Sequence, residues 1–197
     1  PRRLHSQFIE RRTPEALQRF QTPVHYRRRA CHDAIRDKNS HGKLRIIGSL
    51  FPGGTLSPND ETILPALGKF VAEISSVFDG RPRSLLPSPL KGSACKRLNL
   101  YLRWMARKDD VDPGGWDGVT PSRLLIPVDI HMHRISRALG LTARKAADLK
   151  TALEITAAFR KISPDDPVKY DFCLTRLGIR DDLTPDEFLT TCELSPR

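Results

Sequence analysis

The chain has few cysteines, and the four present, Cys31, Cys95, Cys173 and Cys192, stand far apart. There is no CxxC pair, no Cys/His zinc spacing and no iron–sulfur cysteine run, which excludes those metal classes. The thiols read as reduced and structural. Long apolar runs are also missing: none approaches the roughly 20 residues a membrane helix needs. No basic–apolar–small signal segment opens the chain, so the expectation is a protein without a membrane, located in the cytoplasm. Alternating strand patterns and internal repeats are absent too. What remains is an all-α pattern of helices joined by Pro-, Gly- and Asp-rich loops.

The 197 residues fit one domain, and 39% apolar residues suffice for a packed core. Charge is lopsided: 33 Lys and Arg against 23 Asp and Glu give a net +10. Such a balance points to an anionic partner, most often nucleic acid. The Arg27-Arg28-Arg29 run reads as a solvated basic face or as a contact to a phosphate backbone.

Several helices can be placed. Within 57–78, Ile63, Leu67, Phe70, Val71, Ile74 and Phe78 recur at helical spacing, with Ser57 or Asn59 as cap and Pro65 close enough to the start to be tolerated or to delay the helix by a turn. Residues 93–108 predict a helix with Tyr101 and Trp104 in the core. Asp109 to Pro121 is a loop, and Ile126–Gly140 opens a new helix that Gly140 ends. Residues 148–162 form an amphipathic helix, 163–179 another with a proline-rich start, and Thr184-Pro185-Asp186-Glu187 resembles a capping box for a last one.

Within the run Ile126-Pro127-Val128-Asp129-Ile130-His131-Met132-His133-Arg134, Asp129 falls where a helix N-cap belongs. Capping alone would explain it. Yet the segment resembles the V-D-x-H motif of the helix-hairpin-helix DNA glycosylases, through Val128, Asp129 and His131. It is closer to the 8-oxoguanine branch, whose P-V-D-x-H-M is matched also by Pro127 and Met132. Upstream, Gly92 and Lys96 resemble the first glycine and the lysine of that superfamily's G-x-G-x-K hairpin, with Ala94 in place of the second glycine. Lys96 precedes Asp129 by 33 residues, similar to the archaeal 8-oxoguanine enzymes, which carry a longer insert there. The resemblance extends to an uncharacterised bacterial family distantly related to these glycosylases, over about Pro87 to Arg180.

The resemblance implies a helical domain over 1–197: N-terminal helices in 1–80, where the likeness is thinner, a glycosylase-like core in 87–180 and a C-terminal helix in 181–197. It also implies helices upstream of Pro1, and a start at Pro rather than Met reads as a processed, trimmed or partial chain. As catalytic residues it implies Lys96, the nucleophile, and Asp129, the carboxylate that steadies positive charge on the sugar. A lysine nucleophile must lose its proton, and desolvation, a neighbouring cation such as Arg97 and a helix N-terminus all favour that. Gly92, Ser93, His131 and Arg97 are the expected DNA contacts, the first two through backbone N–H groups. His131 could equally orient Asp129. Asp171 and Phe172 are candidates for the pocket of a base flipped from the stack. Plainer readings are an exposed or capping acid and a core aromatic.

Alternate residues on a helix diverge, so His131 and His133 are not expected to bind a metal. No cofactor is expected. The expected partner is damaged DNA near the nucleoid, bound by a monomer. The competing reading is a non-catalytic nucleic-acid-binding module on the same scaffold, which Ala94 and the thin N-terminal likeness favour. An inactive fragment is a third.

Overall fold

The computed structural model describes residues 56–57, 59–76, 86–116 and 118–177. Among these, five α-helices follow in order: α1 (Leu64–Ser76), α2 (Lys96–Ala106), α3 (Ile130–Ala138), α4 (Leu149–Ile162) and α5 (Asp171–Leu177). Short 3₁₀ turns lie at Pro89–Lys91 and Pro121–Arg123. The described residues hold no strand, only one isolated antiparallel bridge between Lys108 and Pro113. The all-α expectation holds over this part. The arginine run 27–29, Phe78, the capping box at 184–187 and Cys31 and Cys192 lie outside the described residues.

α1 begins later than expected. Ser57 and Asn59 do not cap it; the Ser57 N–H donates to Asp60 Oδ2 at 2.8 Å and the Asn59 N–H to Ser57 Oγ at 3.3 Å, closing a local turn. Pro65 explains the delay. Deep inside a helix it would lack an N–H to donate and its ring would clash with the preceding turn, costing about 3 kcal/mol. As the second residue of α1 it costs little. The predicted stripe is otherwise in place: Ile63, Leu67, Phe70 and Val71 are buried and Ile74 is packed against them.

The core is closed by an extended run, Leu124 to Val128, buried along its whole length. Its backbone needs partners there. One is Thr156 of α4, whose Oγ1 accepts the Ile126 N–H at 3.0 Å while donating to the Ala152 carbonyl at 2.6 Å. Met132 and Ile135 of α3, Ile155 and Phe159 of α4 and Leu174 of α5 complete the same core. Each such side chain contributes about 1.5–3 kcal/mol on burial. α3 ends as the sequence predicts: Gly140 is left-handed (φ 72°), its N–H donates to the Arg137 carbonyl at 3.1 Å, and the Leu141 N–H reaches Ser136 at 2.8 Å.

The expectation of a core Trp104 is corrected. It is 39% exposed, because α2 turns Asn99, Leu102 and Arg103 inward instead. Tyr101 is half-buried and meets Trp116 edge-on, ring centres 5.6 Å apart.

Candidate active site

The chain enters α2 through a tight hairpin over Pro89–Cys95. Gly92 takes φ 79°, a conformation that favours glycine, although a Cβ there would meet nothing within 4 Å. Its N–H closes the 3₁₀ turn on the Pro89 carbonyl at 2.9 Å, and its own carbonyl accepts the Leu149 N–H at 2.9 Å. Ser93 Oγ accepts the Cys95 N–H at 3.2 Å, and Cys95 Sγ lies 3.3 Å from the Pro87 carbonyl oxygen. Asn99, buried on α2, donates from Nδ2 to the Ala94 carbonyl at 2.9 Å. Cys95 itself is left-handed at φ 46°, the one described non-glycine residue with positive φ. That conformation costs an L-residue roughly 1–2 kcal/mol. It falls directly before Lys96, the first residue of α2, and so sets the direction in which the lysine leaves the hairpin.

Gly92 therefore corrects one expectation. Its N–H is spent inside the hairpin and is not free for a phosphate. The N–H groups of Ser93 and Ala94 donate to no described residue and are the hairpin's available donors.

Asp129 arrives from the buried extended run and caps α3, its Oδ1 accepting the Met132 N–H at 2.7 Å. The second oxygen, Oδ2, is 3.3 Å from Lys96 Nζ. The lysine side chain is 47% exposed and the carboxylate 12%, so the pair stands at the surface with its acid sunk in it. An exposed pair contributes about 0–1 kcal/mol to stability. Stability is thus a poor reason for it. The arrangement offers an amine and a carboxylate that can meet one reacting carbon.

Below this pair runs a ladder of charge. Lys96, Arg103 and Arg107 fall at i, i+7 and i+11 on one face of α2 and its C-terminal edge. Arg103 is buried and bonds Asp112, with Nε 3.1 Å from each carboxylate oxygen and Nη2 2.8 Å from Oδ1; its Nη1 bonds Asp171 Oδ2. Arg107 bonds Asp112 Oδ2, Asp166 at 2.8 Å and Asp109 at 2.7 Å. Burial opposes the charge on Arg103, but Asp171 and Asp112 outweigh it and hold the guanidinium above its ordinary pKa. Burial pushes Asp171 up to about 6, against the pull of Arg103, and the charges of Asp129 and Asp112 add to the rise. Both values rise, with opposite meaning: on Arg103 the two acids overcome burial and the repulsion of Arg107 and favour its charge, whereas on Asp171 burial, helped by two other carboxylates, overcomes Arg103 and disfavours it.

Asp171 is therefore neither an exposed acid nor a simple cap: it is buried and engaged with Arg103. Phe172, beside it, is half-buried, with the Arg176 guanidinium 5.3 Å from its ring centre. His131 is half-buried on the first turn of α3, and Arg97 is exposed beside Lys96. His133 Nε2 lies 3.0 Å from the Arg144 carbonyl oxygen, pointing to a structural task. Among the described residues, no group of three or more His, Cys, Asp or Glu is placed to hold a metal ion.

Asn99, Arg103 and Asp112 were missed by sequence reasoning. The one signal was the spacing of Lys96, Asn99, Arg103 and Arg107, which puts polar groups on the helix face that should have been apolar.

The fold and site define a helical protein with an amine–carboxylate pair at the mouth of two helices. The family described as a protein of unknown function (DUF2400) matches residues 4–180, and the chain belongs to it. That match takes in the N-terminal stretch as well as the core. No curated protein and no solved structure matches the chain.

Proposed function

We propose that the protein is a DNA N-glycosylase with AP-lyase activity, on a helix-hairpin-helix glycosylase scaffold, that excises a damaged purine, with 8-oxoguanine as the first lesion to test. One observation carries the reading: the residues that resemble the superfamily's nucleophile and acid, Lys96 and Asp129, are 3.3 Å apart. The exposed Lys91 and Arg97 on either side of the hairpin suit an anionic backbone.

In this reading the free Lys96 amine attacks C1′ of the flipped nucleotide. The N–C1′ bond forms as the glycosidic bond breaks, and the departing base takes the bonding electrons and then a proton. Asp129 Oδ2 steadies the positive charge that develops on the sugar. Ring opening gives a Schiff base. Loss of a C2′ proton then expels the 3′-phosphate by β-elimination, and water releases the lysine. The scheme calls for no cofactor.

The test is single-turnover incubation with duplex and single-stranded oligonucleotides carrying 8-oxoguanine, uracil, hypoxanthine, an alkylated base or an abasic site, with and without borohydride. Trapping by the wild type, lost in Lys96→Gln and Asp129→Asn, supports the reading and names the lesion. Salt-sensitive, lesion-independent binding without product overturns it in favour of the non-catalytic binding module.

A further inference from the structure

Asp171 takes no part in the scheme above, yet it stands beside the residues that do. It heads α5, which packs against α3, the helix that Asp129 caps. Its carboxylate is gripped by Arg103, about two turns along α2 from Lys96. So α2 is joined to the α3–α5 pair at two levels: an outer bond, Lys96 to Asp129, and an inner one, Arg103 to Asp171. The outer bond is half-exposed and weak; the inner one is buried. The charged groups facing Asp171 are Arg103 from α2, Asp112 from the following loop and Asp129 from the head of α3. On its own helix, the Thr175 hydroxyl donates to Oδ1 at 3.4 Å.

We propose that Asp171 is a positioning residue for the Lys96–Asp129 pair: its bond to Arg103 fixes the helix of Lys96 against the helix of Asp129. The effect on catalysis rests on the glycosylase reading; the effect on Asp129 does not. Burial lifts Asp171 to about 6, so its bond to Arg103 changes near neutrality, and the seating of α3, which packs against α5, should register the change. The Met132 N–H, bonded to Asp129 Oδ1, is the built-in reporter.

Two measurements test this. In NMR titrations of the wild-type chain without DNA, the Asp171 carboxyl carbon and the Met132 amide nitrogen should share an inflection near pH 6. In Asp171→Asn the Met132 inflection should vanish. An Asp171 carboxyl without that inflection, or a Met132 amide that ignores it, overturns the proposal. If Asp171→Asn fails to fold, the shared wild-type midpoint decides. In borohydride trapping, Asp171→Asn should slow single-turnover reaction roughly 10- to 100-fold, the scale of a small misplacement. The wild-type rate should bend near pH 6 and the variant's should not. Trapping in the variant at the wild-type rate and pH profile also overturns the proposal. A wild type that traps nothing sinks the glycosylase reading alone, and the amide titration still decides the positioning role.

Discussion

Arg103 grips Asp112 through two of its nitrogens, Nε at 3.1 Å from both carboxylate oxygens and Nη2 at 2.8 Å from one, and both residues are buried. This contact staples the loop after α2 to the helix it has just left. It also fixes the guanidinium so that the remaining nitrogen can reach Asp171 across the core.

Removing one side of such a contact strands a buried charge. Asp112→Ala should therefore cost about 3–5 kcal/mol, read as a fall in the urea midpoint at unchanged slope. Val111→Ala, an exposed neighbour in the same loop, should stay within about 0.5 kcal/mol. Equal midpoints for the two variants would contradict the staple.

The shift on Asp171 makes a signed prediction for stability. Its carboxyl is raised from 3.8 to about 6 on folding, so its contribution is fully present below the unfolded value and lost as pH rises through the folded one. The stability of the wild type relative to Asp171→Asn should rise as pH falls from above 6 towards 4, by up to about 3 kcal/mol. Asp109 and Asp148, both held below the ordinary carboxylate range, act the other way, but equally in both chains. Urea melts across that range check the sign.

Asp129 has two tasks that mutation can separate. Asn caps a helix about as well as Asp, whereas Ala costs about 1 kcal/mol. Asp129→Asn should melt with the wild type and Asp129→Ala a few degrees lower, about 2–4 °C for a chain of this size. Both should lose trapping. Equal melting of all three would mean that the Met132 N–H bond contributes nothing.

Asn99 ties the hairpin to α2. Asn99→Ala leaves the buried Ala94 carbonyl without its donor and should cost about 1–3 kcal/mol. The loss should be local first, so hydrogen exchange at the Gly92 and Leu149 amides should quicken more than at Phe159 in the core. Uniform quickening would argue against a tie specific to the hairpin.

What could be read from the sequence was what is written locally. The cap at Asp129, the stop at Gly140 and the stripe of α1 each depend on residues within a turn of one another. The meeting of Lys96 with Asp129 was legible only through resemblance to a motif, since no local rule joins residues so far apart. The start of α1 was half legible: Ser57 and Asn59 looked like good caps, and of the two roles open to Pro65, tolerated within the helix or delaying it, the structure shows the delay. Arg103 and Asp112, and the bond of Asp171 to Arg103, were illegible for a different reason. An arginine on a basic helix and an aspartate in an acidic loop each look solvated alone, and burial becomes tolerable only when distant partners arrive together.

The Arg103–Asp171 bond also has a consequence for synthesis at the ribosome. The chain emerges from its N-terminal end, so Lys96, Arg103, Asp112 and Asp129 leave the exit tunnel before Asp171 does. Until then Arg103 has Asp112 for company but not the partner that ties it to the head of α5. A truncation just before Asp171 would reproduce that stage, releasing a chain that has Lys96 and Asp129 but lacks the Arg103–Asp171 bond.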